Sequence, residues 1–148
     1  MSKLLNISEA SSIAIHCMVL IANCDEIVNA QTISETFGLS RNHSAKVLQL
    51  LAKHNYLESS RGPQGGFKLK VDPKKISILK IFELVEGQID TGNCIHGVEN
   101  CVFSECIYGN FGAKLNQQFK EYFGKRMLSD IIIKKKYKGN MRKSQTFK

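Results

Sequence analysis

No stretch of this chain approaches the 18 or so consecutive apolar residues that a membrane-spanning helix needs. The N-terminus also lacks a charged segment followed by an uninterrupted apolar run, so neither a span nor a signal peptide is expected and the protein is placed in the cytosol. Nor is there a Cys-x-x-Cys pair. Five cysteines, an odd number without a secretion signal, argue against a disulfide framework and for thiol or metal chemistry. The missing pair, together with the lack of a base-orienting couple near any nucleophile, counts against a thiol oxidoreductase, and no enzymatic activity is expected. With 148 residues, 43% of them apolar, one domain with or without an extension can bury a core.

Acidic residues are absent from one whole region. Residues 134–148 carry seven basic side chains and no acid, and residues 41–80 carry nine basic against two acidic, whereas residues 1–40 and 81–133 are each net −3. The overall +8 is therefore concentrated in two places. The terminal one, KKKYKGNMRKSQTFK, has too little apolar content to fold, and reads either as a solvated tail or as an auxiliary nonspecific nucleic-acid contact.

The other basic region is patterned. From Thr32 to Val71 the order is short helix, tight turn at Gly38, longer helix and hairpin, which is a helix-turn-helix followed by a β-wing. Thr32 is expected to cap the short helix, with Glu35 completing a capping box, and Ser40 to cap the longer one. On that helix Asn42, Lys46, Gln49 and Lys53 share one face, while Ala45, Leu48, Leu51 and Ala52 share the other. After Tyr56 the period falls to two: Phe67, Leu69 and Val71 alternate with Lys68 and Lys70 around the turn Arg61-Gly62-Pro63-Gln64-Gly65-Gly66. The first turn, Ser40-Arg41-Asn42-His43-Ser44, carries side chains that grip guanine, adenine and phosphate, so double-stranded DNA is the expected partner. Lys46 would add a phosphate contact. Arg61, Gln64 and Gly65 at the wing tip would reach an adjacent groove or the backbone.

The flanking segments serve this unit. Ser8 or Asn6 caps a first helix reaching about Ala22, on which Cys17 is a small buried hydrophobe and His16 a half-buried polar residue at a helix contact. Cys24 has no partner at a metal-ligand spacing. Ser77 caps a further helix, 78–86, with Ile78, Ile81, Phe82 and Val85 inward and Gly87 at its end. Between residues 88 and 109 three thiols, Cys94, Cys101 and Cys106, fall in a polar, loop-like segment. Such thiolates can converge on an iron-sulfur cluster; zinc or a bare redox thiol set are the alternatives, though zinc sites more often show paired knuckles. Beyond them Phe111, Leu115, Phe119, Tyr122 and Phe123 form a stripe on a helix reaching about Met127. A single winged domain has little core left for these aromatics, so the same helix of a second subunit is the expected cover, and residues 129–133 would fold back on that dimer.

The Ser-Arg-Asn-His string, the Arg61-to-Leu69 wing and the three-cysteine loop ahead of a C-terminal helix together resemble the iron-sulfur winged-helix repressors typified by IscR and NsrR, over residues 3–133. The segment 40–46 is most similar to the nitric-oxide-sensing branch. The resemblance implies a cytoplasmic homodimeric transcription repressor that binds a palindromic operator. Its affinity would be set by a 2Fe-2S or 4Fe-4S cluster sensing nitric oxide, redox or iron status. It makes Cys94, Cys101 and Cys106 the cluster ligands and Glu9 of the partner subunit's first helix a candidate fourth. Where the IscR branch has a ligand histidine three residues after the last cysteine this chain has Gly109, and His96 would be strained beside Cys94. A cofactor-free regulator answering to a metabolite or partner protein is the alternative. The expected fold is mainly α with a small β-wing: a winged helix-turn-helix domain over 1–87, a cysteine loop over 88–109, a dimerisation helix over 110–133 and a basic tail over 134–148.

Overall fold

The computed structural model describes residues 7–89 and 101–131. Its centre is α1 (Glu9–Ala22), which begins where Ser8 Oγ accepts the Ser11 N–H at 3.1 Å. Ile13, Ala14, Cys17, Met18, Leu20 and Ile21 are all buried on it. Their spacing wraps most of the helix in side chains that must leave water, each contributing roughly 1.5–3 kcal/mol for the larger ones. The helices of residues 41–53 and 78–86 and the wing pack around it.

Helix α2 (Ala30–Phe37) starts earlier than expected. Asn29, not Thr32, is the cap: its Oδ1 accepts the Thr32 N–H at 2.7 Å, and Glu35, instead of closing a capping box, accepts from Gln31 Nε2 at 2.9 Å. With Asn29 at the cap, Thr32 already lies inside the first turn and its own N–H is the one that needs an acceptor. Gly38 then turns the chain at φ +65°, a left-handed conformation open to glycine at little cost. Helix α3 (Arg41–Lys53) follows, capped by Ser40 as expected.

Strands β1 (Leu57–Ser60) and β2 (Gly66–Leu69) pair antiparallel in the register Leu57↔Leu69 to Ser60↔Gly66. The α1–α2 connection adds a third line to this wing, because Val28 exchanges both backbone hydrogen bonds with Phe67, at 3.0 and 2.8 Å. That approach requires glycine at position 66, where a Cβ would stand 2.6 Å from the Val28 carbonyl oxygen.

Helix α4 (Ile78–Glu86), capped by Ser77, closes the winged domain as expected. On α5 (Phe111–Lys125) one part of the aromatic stripe differs from expectation. Phe119 stacks on Phe82 of α4 at 4.9 Å and on Phe123 at 4.6 Å, so part of the aromatic stripe is covered by its own chain. Phe111 and Tyr122 stay exposed, at 57% and 58%. The segment after α5 packs on its own chain as far as Ile131. Leu128, in a single 3-10 turn (Leu128–Asp130), is fully buried in the winged core. Leu128 N–H reaches Ile76 O at 2.8 Å, Ile78 N–H reaches Arg126 O at 2.9 Å, and Asn23 Nδ2 donates to Ile131 O at 3.0 Å. Residues 126–131 are thus an edge of the first domain. Residues 132 and 133 and the tail lie outside the described residues.

Candidate nucleic-acid interface

A helix can enter a groove only with the side chains its packing leaves free. On α3, Val47, Leu48 and Leu51 are buried, which leaves Asn42, Lys46, Gln49 and Lys53 exposed on the opposite face, while Arg41 is exposed at the helix start. Ser40 is exposed, but its Oγ already accepts the His43 N–H at 3.5 Å. Ser44 departs from its expected role. It is fully buried on the side of Val47 and Leu48, and its Oγ has no hydrogen-bond partner among the described residues. Polar character had suggested a contact that helical phase denies. On the wing Arg61 and Gln64 are exposed and Gly65 is half-buried, its N–H bonded to Gly62 O at 2.9 Å. Lys68 stands opposite Glu58 in the strand register and is exposed, Lys70 Nζ is held by Asn55 Oδ1 at 2.8 Å, and Arg61 extends from the turn.

Two contacts that sequence reasoning missed tie this surface to α1. Glu9 Oε2 lies 3.6 Å from His43 Nδ1, joining the first turn of α1 to the first turn of α3. Glu86, the last residue of α4, accepts hydrogen bonds from the hydroxyls of both Ser8 and Ser11. Those bonds, Ser11's first, hold its carboxyl below the ordinary glutamate range, with partial burial opposing. Periodicity carries no signal for pairs so far apart in the chain. Beside Glu9, a shallow groove of about 230 Å³ is lined by Ser12, Ile13, His16, Phe37 and Leu39. His16 is exposed there, more than the half-buried contact expected, with its ring edge-on to Phe37 at 5.4 Å.

The cysteines divide by surroundings. Burial pushes the Cys17 thiol up to about 12; burial and then the Asp25 charge push Cys24 up to about 11, so neither offers a thiolate at neutral pH. Cys101 and Cys106 are free and exposed, in a segment where Val102, Phe103, Ile107 and Tyr108 are exposed too. Cys94 and His96 lie outside the described residues. The two exposed thiols suit a soft metal centre; buried Cys17 and half-buried Cys24, with their raised pKa values, do not.

Residues 7–134 match the family model described as Rrf2, iron-dependent transcriptional regulator. The chain belongs to the Rrf2 family. It is 30% identical to the HTH-type transcriptional regulator NsrR of Bacillus licheniformis over 113 residues, 75% of this chain and 79% of that protein. Its fold is that of CymR, the global cysteine regulator of B. subtilis (TM-score 0.69, 23% identity, 85% of this chain and 95% of that one). The fold also matches T. potens IscR (TM-score 0.68, 23% identity, 85% of each chain). This Rrf2 protein is therefore a DNA-binding transcriptional regulator and not an enzyme, and no helix among its described residues is long and apolar enough to cross a membrane.

Proposed function

We propose that this Rrf2 protein is a cytoplasmic, homodimeric repressor whose grip on a palindromic operator depends on an iron-sulfur cluster held by Cys94, Cys101 and Cys106. The observation that carries it is the contrast between two exposed thiols beside α5 and the buried Cys17 and half-buried Cys24, whose thiols are pushed up in pKa. Arg41, Asn42 and Lys46 of α3, with Arg61, Gln64 and Gly65 of the wing, form the contact with the duplex; His43 stands behind them and Ser40 orients the helix end. Exposed Phe111 and Tyr122 supply the apolar seam for a second copy, which gives the two-fold axis a palindrome needs.

When bound, such a cluster supplies a centre that nitric oxide, oxidation or iron scarcity can alter. The chain supplies ligands and leverage. The cysteine segment runs from Glu86, fastened to Ser8 and Ser11, to the start of α5. Loading that segment biases how α5 sits against α4, and hence the separation of two recognition helices that the duplex fixes at about 34 Å. Glu9, whose Oε2 lies 3.6 Å from His43 Nδ1, is the candidate fourth ligand.

Anaerobic purification of the wild type and of Cys94→Ala, Cys101→Ala and Cys106→Ala, with iron content, visible spectra and selection of bound genomic fragments, tests this. Loss of the visible bands and of the nitric oxide response in each variant is expected. Colourless, iron-free wild type with full and unresponsive DNA binding would instead establish a cofactor-free regulator.

A further inference from the structure

We infer that α5 lies antiparallel to the α5 of a second copy, with the twofold axis passing near Gln117 and Lys114 of each protomer facing Glu121 of its partner. This rests on the homodimer reading above and adds to it an orientation and a register. One flank of α5 is already taken: Gly112 is buried, and Phe119 stacks on Phe82 of α4. Next to that flank runs an open row, Phe111, Leu115, Gln118 and Tyr122, at i, i+4, i+7 and i+11, in which only Leu115 is half-buried. Lys114 and Glu121, both exposed, stand two turns apart on the far side of that row from α4. There Lys114, Gln117, Gln118 and Glu121 frame a shallow hollow of about 220 Å³, the i, i+3, i+4, i+7 hole that a side chain of a facing helix enters.

An isologous contact must be complementary to itself, and an antiparallel twofold turns the row end for end. Centred between Asn116 and Gln117, it sets Phe111 against Tyr122 of the partner subunit and Leu115 against Gln118 of the partner subunit. Each end of the row is then closed by a pair of aromatic rings. The same rotation keeps the two charged flanks on one side of the pair. Lys114 there meets the partner's Glu121, twice per dimer, offset by about 3 Å along the axis and within reach of two long side chains. Neither residue is in an ion pair among the described residues; Glu121 Oε1 accepts from Gln117 Nε2 at 3.0 Å, which steadies the carboxylate and leaves it lone pairs for a lysine.

Parallel helices do not achieve this. Their twofold brings the charged flank of each chain against the flank that α4 occupies in the other. It also sets Lys114 level with Lys114 and Glu121 level with Glu121, so like charges oppose that arrangement while opposite charges favour the antiparallel one. Lys114 and Glu121 thus fix the orientation that the apolar row by itself leaves open.

The test is sedimentation equilibrium of the full-length protein at about 50 mM salt, where exposed charges are least screened. Lys114→Gln and Glu121→Gln are each expected to weaken the dimer about three- to fivefold, and the two together no more than either alone. Lys114→Glu should weaken it about tenfold, and Lys114→Glu combined with Glu121→Lys should return it to within about twofold of wild type. Both positions are exposed, so the variants are expected to melt like wild type, which thermal scans check. Glutamine variants that leave association unchanged or tighten it, the latter pointing to parallel helices, overturn the inference and leave the homodimer standing. So does an exchanged pair that stays as weak as Lys114→Glu. A wild type that remains monomeric at every concentration overturns the register and the homodimer together.

Discussion

Glu9 and His43 bring the first turn of α1 against the first turn of the recognition helix, carboxylate to imidazole at 3.6 Å. Both side chains are well exposed, which limits the pair to about 0–1 kcal/mol. In iron-free protein, Glu9→Gln should therefore change affinity for duplex DNA by less than about fivefold. If the carboxylate is also the fourth cluster ligand, the same variant should alter the visible spectrum and shorten the lifetime of the cluster in the loaded protein. Anisotropy titrations with and without iron separate the two roles. A large affinity loss without iron would mean that the pair organises the recognition helix, and an unchanged spectrum would remove Glu9 from the ligand set.

Ser44 presents the opposite case, a hydroxyl that packing has sealed among Val47 and Leu48 with no partner among the described residues. Its desolvation is uncompensated, a cost of roughly 1–3 kcal/mol, and alanine is also the better helix former. Ser44→Ala should raise thermal stability by about 1 kcal/mol, or roughly 2–4 °C, and leave DNA affinity unchanged. A tenfold loss of affinity in a calorimetrically sound variant would restore Ser44 to the interface.

The contrast between these two residues shows what could be read from the chain. Elements whose identity is local were legible: the Ser8, Ser40 and Ser77 caps, the Gly38 turn, and the alternation of Phe67 and Leu69 with Lys68 each depend on neighbours a few positions away. Asn29 was missed because two competent caps lie three residues apart, and the choice between them follows from where Val28 docks on Phe67. Glu9 with His43, Glu86 with Ser8 and Ser11, and Asn23 with Ile131 are set by tertiary packing, for which no periodicity speaks. Ser44 was misjudged by its polarity, although its place one turn before Leu48 already put it on the packing side.

Leu128 and Tyr122 lie six residues apart and should respond oppositely to truncation. Leu128 is fully enclosed by the winged core and anchors the strand-like return to Ile76, so Leu128→Ala should cost about 2–5 kcal/mol and release residues 126–131 from their hydrogen bonds. Tyr122 is exposed, touched by Arg126 through its hydroxyl at 2.7 Å and otherwise packed on Phe123. Tyr122→Ala should leave the winged domain folded and weaken self-association instead. Thermal melts and sedimentation over a concentration series distinguish the two. Equal effects on stability, with no change in association for Tyr122→Ala, would contradict the assignment of that face to a second copy.

Glu86 makes stability depend on pH at one identifiable joint. Its folded pKa is held below the unfolded value of about 4.3 by the Ser11 and Ser8 hydroxyls, so its contribution is present above that value and is lost as pH falls through the folded pKa. The carboxylate is largely exposed, and solvent screening keeps the contribution to about 1 kcal/mol or less. Glu86→Gln should therefore be slightly less stable than wild type at pH 7, by about 2–4 °C at most, with the gap closing below about pH 4. Ser11→Ala combined with Glu86→Gln should cost little more than either alone, because both remove one interaction. Since that joint fastens the start of the cysteine segment to α1, the variant should also blunt the difference in DNA affinity between iron-loaded and iron-free protein. A pH-independent stability gap, or additive losses in the double variant, would show that Glu86 is not held through Ser8 and Ser11.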